Sequence, residues 1–128
     1  MAVGKQIGEF SLKGTSFPIA PGPGKALTLQ GNFEGPITGE AGEGYGVGTL
    51  TLVTEPGAKG GTWTWSGLTY LSSGGGIGIN SQGTWQESGV NKWRFHGTGE
   101  DSTGRLIDVE AEADLATRTL AGKLYEWS

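Results

Sequence analysis

The segment GEGYGVGTLTL, Gly42 to Leu52, places glycine at every second position and then passes the alternation to leucine. Residues that share a face at every second position belong to a strand, whereas a helix brings together residues three and four apart. Glycine in a helix interior costs ~1 kcal/mol relative to alanine, and this chain carries 26 glycines in 128 residues. Glycine or a β-branched run interrupts helical spacing almost everywhere, so an all-β chain is predicted. The run also invites comparison with the glycine-rich phosphate loop, but such a loop needs a helix N-terminus behind its glycines, and no helix follows here.

Alternating segments fall at 5–13, 25–39, 45–55, 62–71, 76–87, 91–99, 105–114 and 118–127, separated by turn-forming text such as APGPGK, EPGAKGG, SSGGG and EDSTG. That pattern predicts a single β domain over residues 1–128, an eight-stranded antiparallel up-and-down β-barrel. Closure removes the free edges that would otherwise seed aggregation. A sandwich of two sheets is the alternative. The glycine content lacks the three-residue period of collagen, and five Trp, three Tyr and four Phe argue for a packed interior.

Parity assigns the faces. Phe10 and Leu12; Leu27, Leu29, Phe33 and Ile37; Leu50 and Leu52; Trp63 and Trp65; Ile77, Ile79 and Trp85; Trp93 and Phe95; Ile107, Val109, Ala111 and Ala113; and Leu120 and Leu124 are predicted to point into the lumen. The opposite parity carries Thr28, Gln30, Asn32 and Glu34, Thr62, Thr64 and Ser66, and Asp108, Glu110 and Glu112, which suits a wet outer wall. Because strands reverse direction in turn, one end of the barrel collects most of the glycines and the other receives Trp63, Trp65, Trp85 and Trp93. Two readings follow: indoles complement glycines in a solid core, or indoles floor a pocket with a glycine-lined mouth. The second predicts a ligand site at Trp63, Trp65, Trp85, Trp93, Phe95, Tyr70, Gly46 and Gly48. Its mouth would be lined by Gly46, Gly48, Gly78 and Gly97, with Glu126 at the rim and Tyr45 and Tyr70 within reach.

Few groups in this sequence carry chemistry. Glu87 and Glu126 share the inward parity at strand ends, and an acid held against apolar walls has its pKa raised toward the range useful for proton transfer, so these two are the candidate catalytic residues. His96 is the only histidine and takes the outward parity. One histidine and scattered acids make neither a zinc nor a calcium constellation, and no cofactor is implied. WSG at Trp65–Gly67 is a strand interior without the G-x-S-x-G elbow of serine hydrolases. Asp114 and Arg118 bracket a hairpin and are expected to fix its turn as an ion pair.

Nine Lys and Arg against thirteen Asp and Glu leave a mildly acidic surface that repels phosphate backbones, so nucleic acid is not an expected partner. There is no cysteine, the N-terminal text lacks the basic and apolar regions of a secretory signal, and no segment reaches the ~18 apolar residues of a membrane helix. A soluble cytoplasmic protein without membrane insertion is expected.

The stretches GEGYGVGTLTL, GGTWTWSGLTYLSSGGG and RTLAGKLYEWS resemble the small bacterial barrels of the allene oxide cyclase and dirigent architecture. That resemblance implies an oligomeric eight-stranded barrel that binds hydrophobic or polyketide-like molecules, with some relatives guiding cyclisations by shape. It carries no catalytic residue onto this chain. Size and Gly/Trp/Thr content also resemble avidin-like barrels, although the opening tryptophan motif of that group is absent here. Three functions are therefore expected to compete: binding of a hydrophobic or aromatic small molecule in the lumen, an isomerase or cyclase that shapes a flexible substrate there, and an assembly role in which Phe17, Tyr125 and Trp127 pack between copies as a homodimer or homotrimer.

Overall fold

In the computed structural model, residues 4–127 are described, and they form strands and turns with no helix among them. The strands are β1 (Gln6–Ser16), β2 (Ile19–Pro21), β3 (Leu27–Gly39), β4 (Gly44–Thr54), β5 (Gly60–Leu71), β6 (Gly76–Gly89), β7 (Lys92–Asp101), β8 (Leu106–Asp114) and β9 (Thr119–Glu126). Neighbours in sequence pair antiparallel from β3 through to β9, β9 pairs with β1, and β1 pairs with β3, which closes the sheet. The result is a closed eight-stranded antiparallel barrel with one extra strand, as the alternation predicts.

The extra strand is a departure from the sequence reading, which takes the text around Pro18 to Gly24 as connection. Pro18 has no N–H to give to a ladder, so β1 ends before it. The chain then resumes pairing along the same neighbour, with Ile19, Ala20 and Pro21 opposite Leu29, Thr28 and Leu27. Pro21 is tolerated there because β2 is an edge strand. Leu27, expected in the lumen, is instead 38% exposed: it pairs with Pro21 and Thr54 at the extremity of the sheet, beyond the reach of the packed interior.

The interior is built from Leu12, Phe33, Leu50, Trp63, Trp85, Phe95, Ala111 and Leu120, with Phe10, Ile37, Leu52, Ala58, Trp65, Trp93 and Ala113 packed against them. All but Ala58 carry the parity assigned to the lumen. Most outward-parity residues are exposed, His96 among them. Asp108 is the exception to the wet outer wall, at 3% exposure, held in register between Thr98 and Tyr125 on the flanking strands.

At the β8–β9 hairpin the expected ion pair is replaced by a local device. Asp114 Oδ1 accepts the Ala116 N–H at 3.0 Å, and Arg118 takes a left-handed conformation, φ 54°, to close the turn. An aspartate that bonds the backbone two residues on fixes a turn without any cation.

Candidate functional site

The lumen is filled at one end and hollow toward the other. Trp85, Trp93, Leu52, Ala58 and Ala113 belong to the filled half, below Trp63 and Phe95. Above that floor lies a cavity of about 160 Å³. It reaches the end of the barrel formed by the β3–β4 turn, the close of β5, the β7–β8 turn and the start of β1. That is the end where the sequence reading places the mouth. Trp63, Trp65 and Phe95 lie on its wall with Phe10, Leu50, Ile77, Ile79, Ile107 and Leu124.

The glycines do not line it as expected. Gly46 and Gly48 face inward, but each is roofed by a side chain. A Cβ at Gly46 would overlap Ile37, and one at Gly48 or at its cross-strand partner Gly67 would overlap the Trp65 indole. Trp65 therefore lies across two bare backbones, and the cavity sees the indole rather than the glycines. Gly97 meets the Gln82 carbonyl and the Trp63 ring in the same way. Gly78 takes the outward parity, opposite to Ile77 and Ile79, and does not line the mouth. The glycines serve here as beds for rings and as points where strand backbones approach closely.

The remaining candidates are placed as follows. Trp85 is buried in the filled half, and its indole N–H has no hydrogen-bond partner. Trp93 packs against the same buried cluster, and neither touches the cavity. Tyr70 is on the outer wall, 56% exposed, opposite Tyr45, whose O–H donates to Glu34 Oε2 at 2.6 Å. Glu87 is exposed at the filled end, opposite Trp93. Glu126 emerges at the mouth as expected, exposed and 3.9 Å from Arg105. Neither carboxylate lines the cavity. Phe17 and Trp127 are exposed and Tyr125 is half-buried.

The rim is a charged network that sequence reasoning missed. Glu40, in the β3–β4 turn, receives Lys5 Nζ at 2.5 Å on one oxygen and Arg105 Nη2 at 2.9 Å on the other. The Lys5 side-chain hydrogen bond, followed by that of Arg105, holds the Glu40 carboxyl below its ordinary range, and the same bond to Glu40 raises Lys5. Asp101 closes the β7–β8 turn. Burial pushes its carboxyl up, but bonds from the Thr103 hydroxyl and from the Arg105 and Thr103 backbone N–H groups outweigh this and leave it below the usual value. Glu40, Asp101 and Arg105 all border the cavity. Glu40 comes from the β3–β4 turn and Asp101 and Arg105 from the β7–β8 turn, and no local pattern announces that the two turns meet.

Two hydroxyl residues also face inward. Thr69 shares the parity of Trp65 and Gly67, and Ser81 that of Ile77 and Ile79; both border the cavity. Their parity was legible in the sequence, where the larger side chains drew attention away from them. Among the described residues there is no cluster of His, Cys, Asp and Glu that could hold a metal ion. No helix there is long and apolar enough to cross a membrane.

Comparison with protein-family models and with curated proteins yields no match. Among solved structures, the chain is similar over its whole length to the whole of a protein with unknown function from Clostridium acetobutylicum ATCC 824, with a TM-score of 0.74 and 13% identity. At that identity the likeness extends to the fold alone: both chains are β-barrels of this kind.

Proposed function

We propose that the protein binds a small apolar molecule inside the barrel. The observation that carries this reading is the hollow half of the lumen, a cavity of about 160 Å³ walled by aromatic and aliphatic side chains and continuous with one end of the barrel. A packed interior normally leaves few voids larger than a water molecule, because a gap forfeits dispersion contacts along its lining. Filling it restores those contacts and removes the ligand's own apolar surface from water.

The size of the space narrows the guest. An apolar cavity of ~150 Å³ accommodates benzene, whereas sites for drug-sized ligands occupy roughly 300–1,000 Å³. One ring, or an aliphatic chain of similar bulk, matches this lumen, and a polyketide or lipid chain does not. The cyclase reading gains no support from the carboxylates, since Glu87 lies at the filled end and Glu126 lies outside the cavity wall.

Titration with toluene, followed by calorimetry and by methyl NMR of Ile77, Ile79 and Leu124, tests the proposal. Saturable heat with shifts concentrated at those three residues is expected. Absence of saturation, or shifts confined to outer-wall residues such as Val47 and Val53, would refute it.

A further inference from the structure

Ser81 sits on the inward face of β6, is only 7% exposed, and borders the cavity between Trp65 on β5 and Gly99 on β7. Its hydroxyl makes no hydrogen bond to any described residue, yet it is not sealed away from the cavity, unlike the Trp85 N–H. A hydroxyl on a residue this buried that finds no protein partner is left facing the cavity, where only water or a guest can satisfy it. Its neighbour across the ladder repeats the feature. The Trp65 indole N–H, lying over Gly67, has no acceptor among the described residues either. The indole Nε1 of Trp63, by contrast, donates to the Thr84 carbonyl at 2.9 Å. On an otherwise apolar wall, a hydroxyl and an N–H donor on adjacent strands are left for something else to satisfy.

We infer that Ser81 is the polar anchor of the lumen, and that the preferred guest is a single aromatic ring carrying one hydrogen-bonding oxygen, of the phenol class. This rests on the lumen-binding reading above and deepens it. The ring stacks among Trp63, Trp65 and Phe95, which favour aromatic over aliphatic guests through offset and edge-to-face contacts. The oxygen exchanges a hydrogen bond with the Ser81 hydroxyl and accepts from the Trp65 N–H. The rim does not select an anion: Arg105 and Lys5 are already engaged by Glu40, and Glu126 and Asp101 add further negative charge around them. A neutral polar group therefore fits this lumen better than a carboxylate. A site that hydrogen-bonds a guest discriminates against the analogue lacking that group, because the protein's own polar atoms are then stranded.

Phenol and toluene are nearly equal in shape and differ by a hydroxyl against a methyl group, so the ratio of their affinities isolates the anchor. Both are titrated into the wild-type protein, Ser81→Ala and Ser81→Cys, the last keeping the side-chain shape at slightly larger volume while weakening the donor; circular dichroism verifies that each variant folds. In both variants the phenol-to-toluene ratio should fall by about threefold to tenfold, the range one neutral hydrogen bond supplies. A ratio unchanged in both variants overturns the assignment of Ser81 and leaves lumen binding standing. If neither compound binds the wild-type protein, lumen binding fails and the anchor fails with it.

Discussion

Gly48→Ala separates the two ways in which a glycine on the inner face could matter, and it does so by sign. Gly48 lies within β4 and does not have a positive φ, so alanine can adopt its backbone without strain. Were the position merely bare, the substitution would reduce the entropy of the unfolded chain and stabilise the fold by ~0.4–1 kcal/mol. The added methyl, however, overlaps the six-membered ring of Trp65. The indole also rests on Gly67, the cross-strand partner of Gly48, and lies 6.4 Å, centroid to centroid, from Phe33. Trp65 must therefore move into the cavity, and overpacking of this kind costs about 1–3 kcal/mol. The balance is a net loss of roughly 1–2 kcal/mol, on the order of 4–8 °C in Tm for a domain of this size.

A double-mutant cycle with Trp65→Leu locates the cause. Without the indole, Gly48→Ala should turn neutral or mildly stabilising, giving a coupling of about 1–3 kcal/mol between the two positions. Urea denaturation of the four proteins, followed by far-ultraviolet circular dichroism, measures it. If Gly48→Ala stabilises the wild-type protein, or costs as much with leucine at position 65 as with tryptophan, then Trp65 does not rest on Gly48 and the description of the cavity wall is wrong.

At the rim, Glu40 should titrate below the ordinary range of a glutamate, because Lys5 and Arg105 both donate to its charged form. A depressed folded-state pKa contributes stability above the unfolded value and loses it as pH falls through the lower one; Glu40→Gln should flatten that acid limb, and carboxyl NMR showing an ordinary titration would refute the network. On the outer wall, the Tyr45 phenol should ionise above its usual pH, chiefly because its proton is held by Glu34. The contribution is complete below the ordinary tyrosine range and disappears as pH rises through the elevated value. Ultraviolet titration should return to the ordinary range in Glu34→Gln, and no change in that variant would exclude the bond.

Most of the fold was legible in the chain itself because strand parity is a local property. The leucines of GTLTL, the tryptophans of TWTW and the isoleucines of GIGI declare their common face through spacing alone, and the reversing hairpins then determine which end of the barrel each segment serves. The location of the mouth follows from those two facts. What parity could not supply is the distance across the lumen. It says that Gly48 and Trp65 point the same way, but not that the indole folds over the glycine and shields it from the cavity. It likewise assigns Glu126 an inward face on a strand that ends before the face has any meaning. Whether the interior is solid or hollow depends on how far opposite walls stand apart, which closure of the whole sheet decides.

The rim shows the same division more sharply. Lys5, Glu40, Arg105 and Glu126 lie in separate parts of the chain, and nothing near any of them marks it as part of a network. They meet because the strands closing the barrel bring the start of β1, the end of β9 and two turns to one end. Strand period, the parity of most inward and outward residues, and the end at which the barrel opens are local properties that the sequence by itself determined, since each depends on residues close together in the chain. The tertiary structure alone decided that one half of the lumen is filled and the other hollow, that Ser81 lacks a partner there, and that four distant charges share one rim, because those depend on distances between strands far apart in sequence.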